Sequence, residues 1–177
     1  ILCGRHPEYY SEDPILTGTL MAYQARGLEE NGVIATYKHL IANNMEFERK
    51  SAHGIIDENT LRDLYLRVFD KAFSLYKPGC VMTSYNPVNG IYPCENSALL
   101  NNLLRGEWGF DGFVMTDWGS YDTADSIRSV CAGTNLLTPG SKKHFRMILK
   151  AVKRNEISKA ALQHSVKQIV KVLVRCI

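Results

Sequence analysis

Apolar and polar positions along the chain alternate between two rhythms. Helical spacing is clearest at Leu61, Leu64, Tyr65, Val68, Phe69 and Ala72, held over three turns behind the capping residue Asp57. Between such stretches stand short apolar runs at Val33 to Tyr37, Cys80 to Thr83 and Phe113 to Met115. The last is too short and too apolar for a half-exposed strand and reads as a fully buried one. The first run finishes in Lys38-His39, the second in Ser84-Tyr85-Asn86, and the third leads through Thr116 into the bare carboxylate of Asp117.

Breakers and caps set the remaining limits. Asp13-Pro14 reads as an N-cap with proline at the first helical position, and that helix ends near Asn31 before Gly32. Pro78-Gly79 ends the helix that Asp57 starts, and a loop from Pro87 to Asn96 leads to a helix over about 97–105. Asp111-Gly112 turns the chain into the third strand. A helix over about 123–131 and a short strand at Asn135 to Leu137 follow. Two basic amphipathic helices close the chain, the last with Ser158 as its cap and Leu162, Val166, Ile169, Val170 and Leu173 on one face.

Strands separated by helices predict βαβ units and a parallel sheet. No Gly-x-Gly-x-x-Gly follows a strand, which disfavours a dinucleotide fold. Polar residues ending three successive strands fit an α/β (β/α)8 barrel of the TIM type, whose active site lies at that end. Such barrels need roughly 250 residues. The sequence carries about four strands and the tail of another at 1–4, so the expectation is a single partial barrel domain over residues 1–177, holding the later strands and helices.

Composition narrows the function. The 177 residues carry a net charge of +3, and the basic residues are scattered apart from Lys142-Lys143 and the last helix, so nothing reads as a nucleic-acid surface. Cys3, Cys80, Cys94, Cys131 and Cys176 are odd in number and form no C-x-x-C, which argues against a metal site or a disulfide framework. Cys80 and Cys131 are expected in the core. Reduced thiols, with no transmembrane run and no signal peptide in view, fit a cytoplasmic protein. The chain opens at Ile1 rather than Met, so secretion stays open.

The residues alone leave several roles undecided. Lys38 and His39 are either a satisfied polar pair at a strand end or donors for sugar hydroxyls, and Arg5 is either a surface ion pair or a third donor. Tyr85, Trp118 and Met82 are core residues or walls of a sugar site. Glu46 and Glu48 read better as partners of Arg49 than as catalytic acids. His53, His144 and His164 have no partner pattern and read as surface residues.

Four segments join these residues into one pattern. They are Gly4-Arg-His-Pro-Glu-Tyr-Tyr-Ser-Glu-Asp-Pro14, Gly32-Val-Ile-Ala-Thr-Tyr-Lys-His39, Val81-Met-Thr-Ser-Tyr-Asn86 and Gly106-Glu-Trp-Gly-Phe-Asp-Gly-Phe-Val-Met-Thr-Asp-Trp118. In order and spacing the chain resembles glycoside hydrolase family 3, the β-glucosidase and β-xylosidase type. That resemblance implies a retaining, exo-acting glycosidase without a cofactor, acting on a β-linked oligosaccharide or glycoside, with no nucleic-acid or membrane partner. It matches Asp117 to the catalytic nucleophile and Arg5, Lys38 and His39 to residues holding the sugar. Met82 and Tyr85 match residues lining the pocket, and Trp118 matches the tryptophan after the nucleophile.

The departures are specific. A further sugar-binding aspartate of the family lies on an earlier strand, and its acid/base glutamate comes from an α/β-sandwich domain; neither is expected in this chain. Asn135 stands where many relatives carry aspartate. The branch that hydrolyses N-acetylglucosaminides places a Gly-His-Gly loop after the Lys-His pair, where this chain has Ile41-Ala-Asn-Asn-Met-Glu46. The alternatives are a non-catalytic carbohydrate-binding relative, or a β-xylosidase or other β-glycosidase of the same family.

Overall fold

The computed structural model describes residues 3–176. Its sheet has three parallel strands in the order β1 (Thr36–Leu40), β2 (Cys80–Thr83) and β3 (Phe113–Thr116). Helix α1 (Pro14–Glu30) precedes β1, and a helical segment joins β1 to β2. That segment is built from α2 (Glu58–Thr60), a π-helical stretch Leu61–Leu66 and α3 (Arg67–Leu75). A second π-helical stretch, Ala98–Glu107, joins β2 to β3. After β3 come α4 (Ser126–Ala132), α5 (Lys142–Lys153) and α6 (Lys159–Leu173). Parallel strands with helical crossovers are the repeating unit of a TIM-type barrel, here present in part.

The caps act as the sequence predicts. Asp13 accepts from the backbone N–H of Ile15 and Leu16, Asp57 from Thr60 and Ser158 from Ala161. Gly32, at φ 79°, supplies the left-handed turn after α1. Gly18 lets α1 lie against the neighbouring helix, because a Cβ there would stand 2.5 Å from the Val68 carbonyl oxygen.

One face of the sheet meets the helices. Tyr37, Val81 and Val114 share a row of the ladder and are buried with Leu66, Phe69, Phe73, Leu100 and Leu104 in the main core. The opposite row, Lys38, Met82 and Met115, is only half-buried. Strict alternation would place His39 on the helix side with Tyr37. The register instead slips by one residue, with Tyr37 opposite Val81 but Leu40 opposite Thr83. This bulge returns Leu40 to the core and carries His39 to the face shared with Asp117.

Several expectations need correction. The first strand runs from Thr36 to Leu40, not from Val33, which is 54% exposed. The expected strand at Asn135 to Leu137 is a single parallel bridge from Leu136 to Met115. The helix expected from residue 123 starts at Ser126, where the Asp125 cap sets it. Cys131 is exposed rather than core, whereas Cys80 is fully buried. On α6 the buried positions are Ser165 and Val172; of the expected stripe Leu162 and Ile169 are half-buried while Val166, Val170 and Leu173 are exposed, so the helix is turned part-way from it. Val172 packs with Cys80 and Phe113, and Ser165 hydrogen-bonds Asn135; these two contacts fix the rotation. The strand tail expected at 1–4 begins in residues 1 and 2, outside the described residues, as does the Cys176 side chain.

Candidate active site

Asp117 follows β3 directly and is 8% exposed. Its two oxygens differ. Oδ1 accepts the Trp118 backbone N–H at 2.6 Å. Oδ2 is buried and accepts no hydrogen bond among the described residues. His39 Nε2 lies 3.3 Å from Oδ2 but off line for a hydrogen bond.

His39 is held from behind. Its Nδ1 is 2.7 Å from the Tyr9 hydroxyl and 3.4 Å from Asn43 Nδ2, which also reaches the Tyr9 hydroxyl at 3.4 Å. Burial pushes the imidazole down to about 4, although Asp117 pulls it up; Lys38 and Arg5 push it down and Glu8 pulls it up. His39 is therefore uncharged at neutral pH. It supplies a hydrogen-bond donor rather than a positive charge.

The fixed positive charges come from Arg5 and Lys38, and Glu8 joins them. Arg5 Nη2 and Lys38 Nζ each lie 2.5 Å from a Glu8 oxygen. Burial raises the Glu8 carboxyl, but hydrogen bonds from Lys38 and Arg5 outweigh it and hold the group below its ordinary value. Arg5 also lies 3.7 Å from Glu46, which pairs with Arg49 at 3.4 Å as the sequence suggested.

Tyr85 is buried, and its hydroxyl donates to the Trp118 carbonyl at 2.5 Å. Burial, then the charge of Asp117, pushes the phenol up to about 12, so it stays a donor. The Arg49 guanidinium sits over its ring at 4.6 Å. Trp118 is held at its backbone by these bonds, while the residue as a whole is 67% exposed. Met82 is half-buried on the face of Lys38.

The sheet thus brings Arg5, Lys38, His39, Tyr85, Asp117 and Trp118 to one end. Sequence reading missed Glu8, Tyr9 and Asn43, although Glu8 and Tyr9 lie inside a segment already singled out. A cavity of about 620 Å³ borders the cluster and is lined by Glu8, Tyr9, Lys38, His39 and Asn43, though not by Asp117; one of about 540 Å³ lies elsewhere, around Glu29 and Tyr76.

Residues 3–172 match the family model described as the glycosyl hydrolase family 3 N terminal domain. The chain belongs to glycosyl hydrolase family 3. It is 41% identical over 173 residues to "Thermostable beta-glucosidase B" of Acetivibrio thermocellus, covering 97% of this chain and 23% of that protein. It is 39% identical over 175 residues to "Probable beta-glucosidase J" of Aspergillus fumigatus, covering 97% of this chain and 20% of that protein. Among solved structures it superposes on β-glucosidase 3B from Thermotoga neapolitana in complex with glucose, with a TM-score of 0.93 and 40% identity, over 98% of this chain and 25% of that one. The chain therefore spans between a fifth and a quarter of these family 3 proteins. Among the described residues no helix is long and apolar enough to cross a membrane, and no group of three or more His, Cys, Asp or Glu residues is placed to hold a metal ion.

Proposed function

We propose that the protein carrying this chain is a retaining, exo-acting β-glycosidase that releases a terminal β-D-glucose, with Asp117 as its nucleophile. The observation that carries this reading is the division of labour on the Asp117 carboxylate. One oxygen is pinned by a backbone N–H, and the other is buried, unsatisfied and faces the polar cluster. A buried carboxylate oxygen without a donor is costly in a purely structural role. In a nucleophile it is the atom that attacks.

In this mechanism Oδ2 bonds to the anomeric carbon as the glycosidic C–O bond breaks. The leaving oxygen takes a proton from a second carboxyl group, and water later cleaves the glycosyl ester. That second group would stand roughly 5 Å from Asp117. We assign it to a glutamate of an α/β-sandwich domain of the same protein, with the early barrel strands also contributed by sequence beyond these residues. Lys38 and Arg5 would donate to sugar hydroxyls and tighten as charge develops on the ring, while His39 would stand beside the attacking oxygen. Met82, Tyr85 and Trp118 would line the pocket and give the ring an apolar face. The names of the relatives favour glucose over xylose.

Replacing Asp117 by Gly in the complete protein tests this. Turnover of an aryl β-glucoside is expected to fall below about a thousandth of the parent value. Near-parent hydrolysis by that variant would refute the assignment. Faster hydrolysis of the matching β-xyloside by the parent would overturn the choice of sugar but leave the nucleophile standing.

A further inference from the structure

Tyr9 lies outside the set that would touch the sugar, yet it belongs to a chain of polar contacts leading to Asp117. Asn43 Nδ2 points to the Tyr9 hydroxyl at 3.4 Å, that hydroxyl meets His39 Nδ1 at 2.7 Å, and His39 Nε2 stands 3.3 Å from Asp117 Oδ2. The Tyr9 ring also meets the imidazole edge-on, at 6.0 Å between centroids and 63° between planes. The side chain of His39 is 1% exposed, and with Tyr9 and Asn43 it borders the cavity of about 620 Å³.

The donor directions follow from chemistry. A carboxylate only accepts, so an unprotonated Nε2 facing Asp117 would set two acceptors against each other. The ring proton therefore sits on Nε2, and Nδ1 must accept. Tyr9 can donate to it, because burial pushes the phenol up to about 12 and keeps its proton. Asn43 in turn donates to the oxygen of Tyr9 and leaves its hydrogen aimed at Nδ1.

We propose that Tyr9 is a positioning residue that fixes the tautomer and tilt of His39, and through His39 aims the attacking oxygen of Asp117. This rests on the reading of Asp117 as nucleophile. Tyr9 does not touch the sugar in this scheme. Its loss should therefore slow the attack without weakening substrate binding.

The test is a double-mutant cycle in the full-length protein, using an aryl β-glucoside whose first chemical step limits turnover. Tyr9→Phe keeps the ring and removes the hydroxyl. Its kcat is expected to fall about fivefold to tenfold, the equivalent of one hydrogen bond, with KM within about twofold of the parent. In a His39→Ala background the same change should alter kcat by less than about twofold, because the residue it acts through is gone. Equal losses in both backgrounds, a loss confined to KM, or no loss at all would overturn the proposal. If a melting curve shows that Tyr9→Phe does not fold, Asn43→Ser replaces it in the same cycle, with an expected loss of about threefold that again requires His39. Labelling by a 2-deoxy-2-fluoro glycoside separates the two levels. If Asp117 is labelled in the parent and Tyr9→Phe labels equally fast, the positioning role fails and the nucleophile stands. If the parent label lands on another residue, the nucleophile assignment itself fails.

Discussion

His39 Nε2 stands 3.3 Å from Asp117 Oδ2, although the two residues come from opposite edges of the sheet, with β2 between them. The bulge in β1 permits this contact. Without the one-residue slip after Tyr37, His39 would share the helix-facing side and could not reach the carboxylate. A histidine buried in this position stays neutral, and that has a measurable consequence.

The acid stability of the protein should depend on His39. Burial lowers the folded-state value to about 4, against about 6.5 for a free imidazole. Between these values the unfolded chain binds a proton that the folded one refuses. The contribution is therefore fully present above about pH 6.5 and is lost as the pH falls towards 4. Thermal midpoints of the full-length protein should fall more steeply over this window than those of His39→Asn, which cannot titrate. Parallel curves would contradict a neutral buried His39.

Glu29 ties the bottom of the sheet together. Its Oε1 accepts from the backbone N–H of Ala35 at 3.1 Å and Gly79 at 2.6 Å, just before β1 and β2, and Oε2 accepts from the Tyr76 hydroxyl at 2.9 Å. Glu29→Ala leaves two backbone donors without an acceptor and should cost about 2–4 kcal/mol in urea unfolding. Glu29→Gln keeps one accepting oxygen and should cost less. A loss below about 0.5 kcal/mol for Glu29→Ala would show that water replaces the carboxylate.

Asn135, the departure noted in the sequence, is a structural junction. Its Oδ1 accepts from the Val114 backbone N–H at 2.7 Å and from Arg105 at 2.9 Å, and its Nδ2 donates to Ser165. Burial pushes the Arg105 guanidinium down, with Asp111 pulling the other way. Asn135→Asp would give that guanidinium an adjacent counter-charge, and the Ser165 hydroxyl can turn to donate. A gain of about 1 kcal/mol in stability is expected, with unchanged turnover. Lower turnover at equal stability would instead place position 135 in the chemistry.

Much of this was legible in the sequence because local rules dominate it. Asp13, Asp57 and Ser158 cap their helices, and Cys80 and Phe113 open buried strands as their flanking turns demand. Asp117 was visible as a carboxylate at the end of an apolar run. What escaped depends on contacts between distant segments. The bulge that turns His39 leaves no trace in the pattern of β1, since Lys38, His39 and Leu40 fit a regular strand equally well. The rotation of α6 is set by Val172 and Ile169 against Cys80 and Phe113, not by its whole apolar stripe. The role of Tyr9 requires a partner 30 residues away.

The nucleophile is tested most directly by trapping the covalent intermediate. The full-length protein, treated with a 2-deoxy-2-fluoro β-glucoside bearing a good leaving group and digested, should yield one labelled peptide from the segment Gly112 to Gly119, with the sugar esterified to Asp117. A label on any other carboxylate, or complete inactivation without a label on Asp117, would contradict the account.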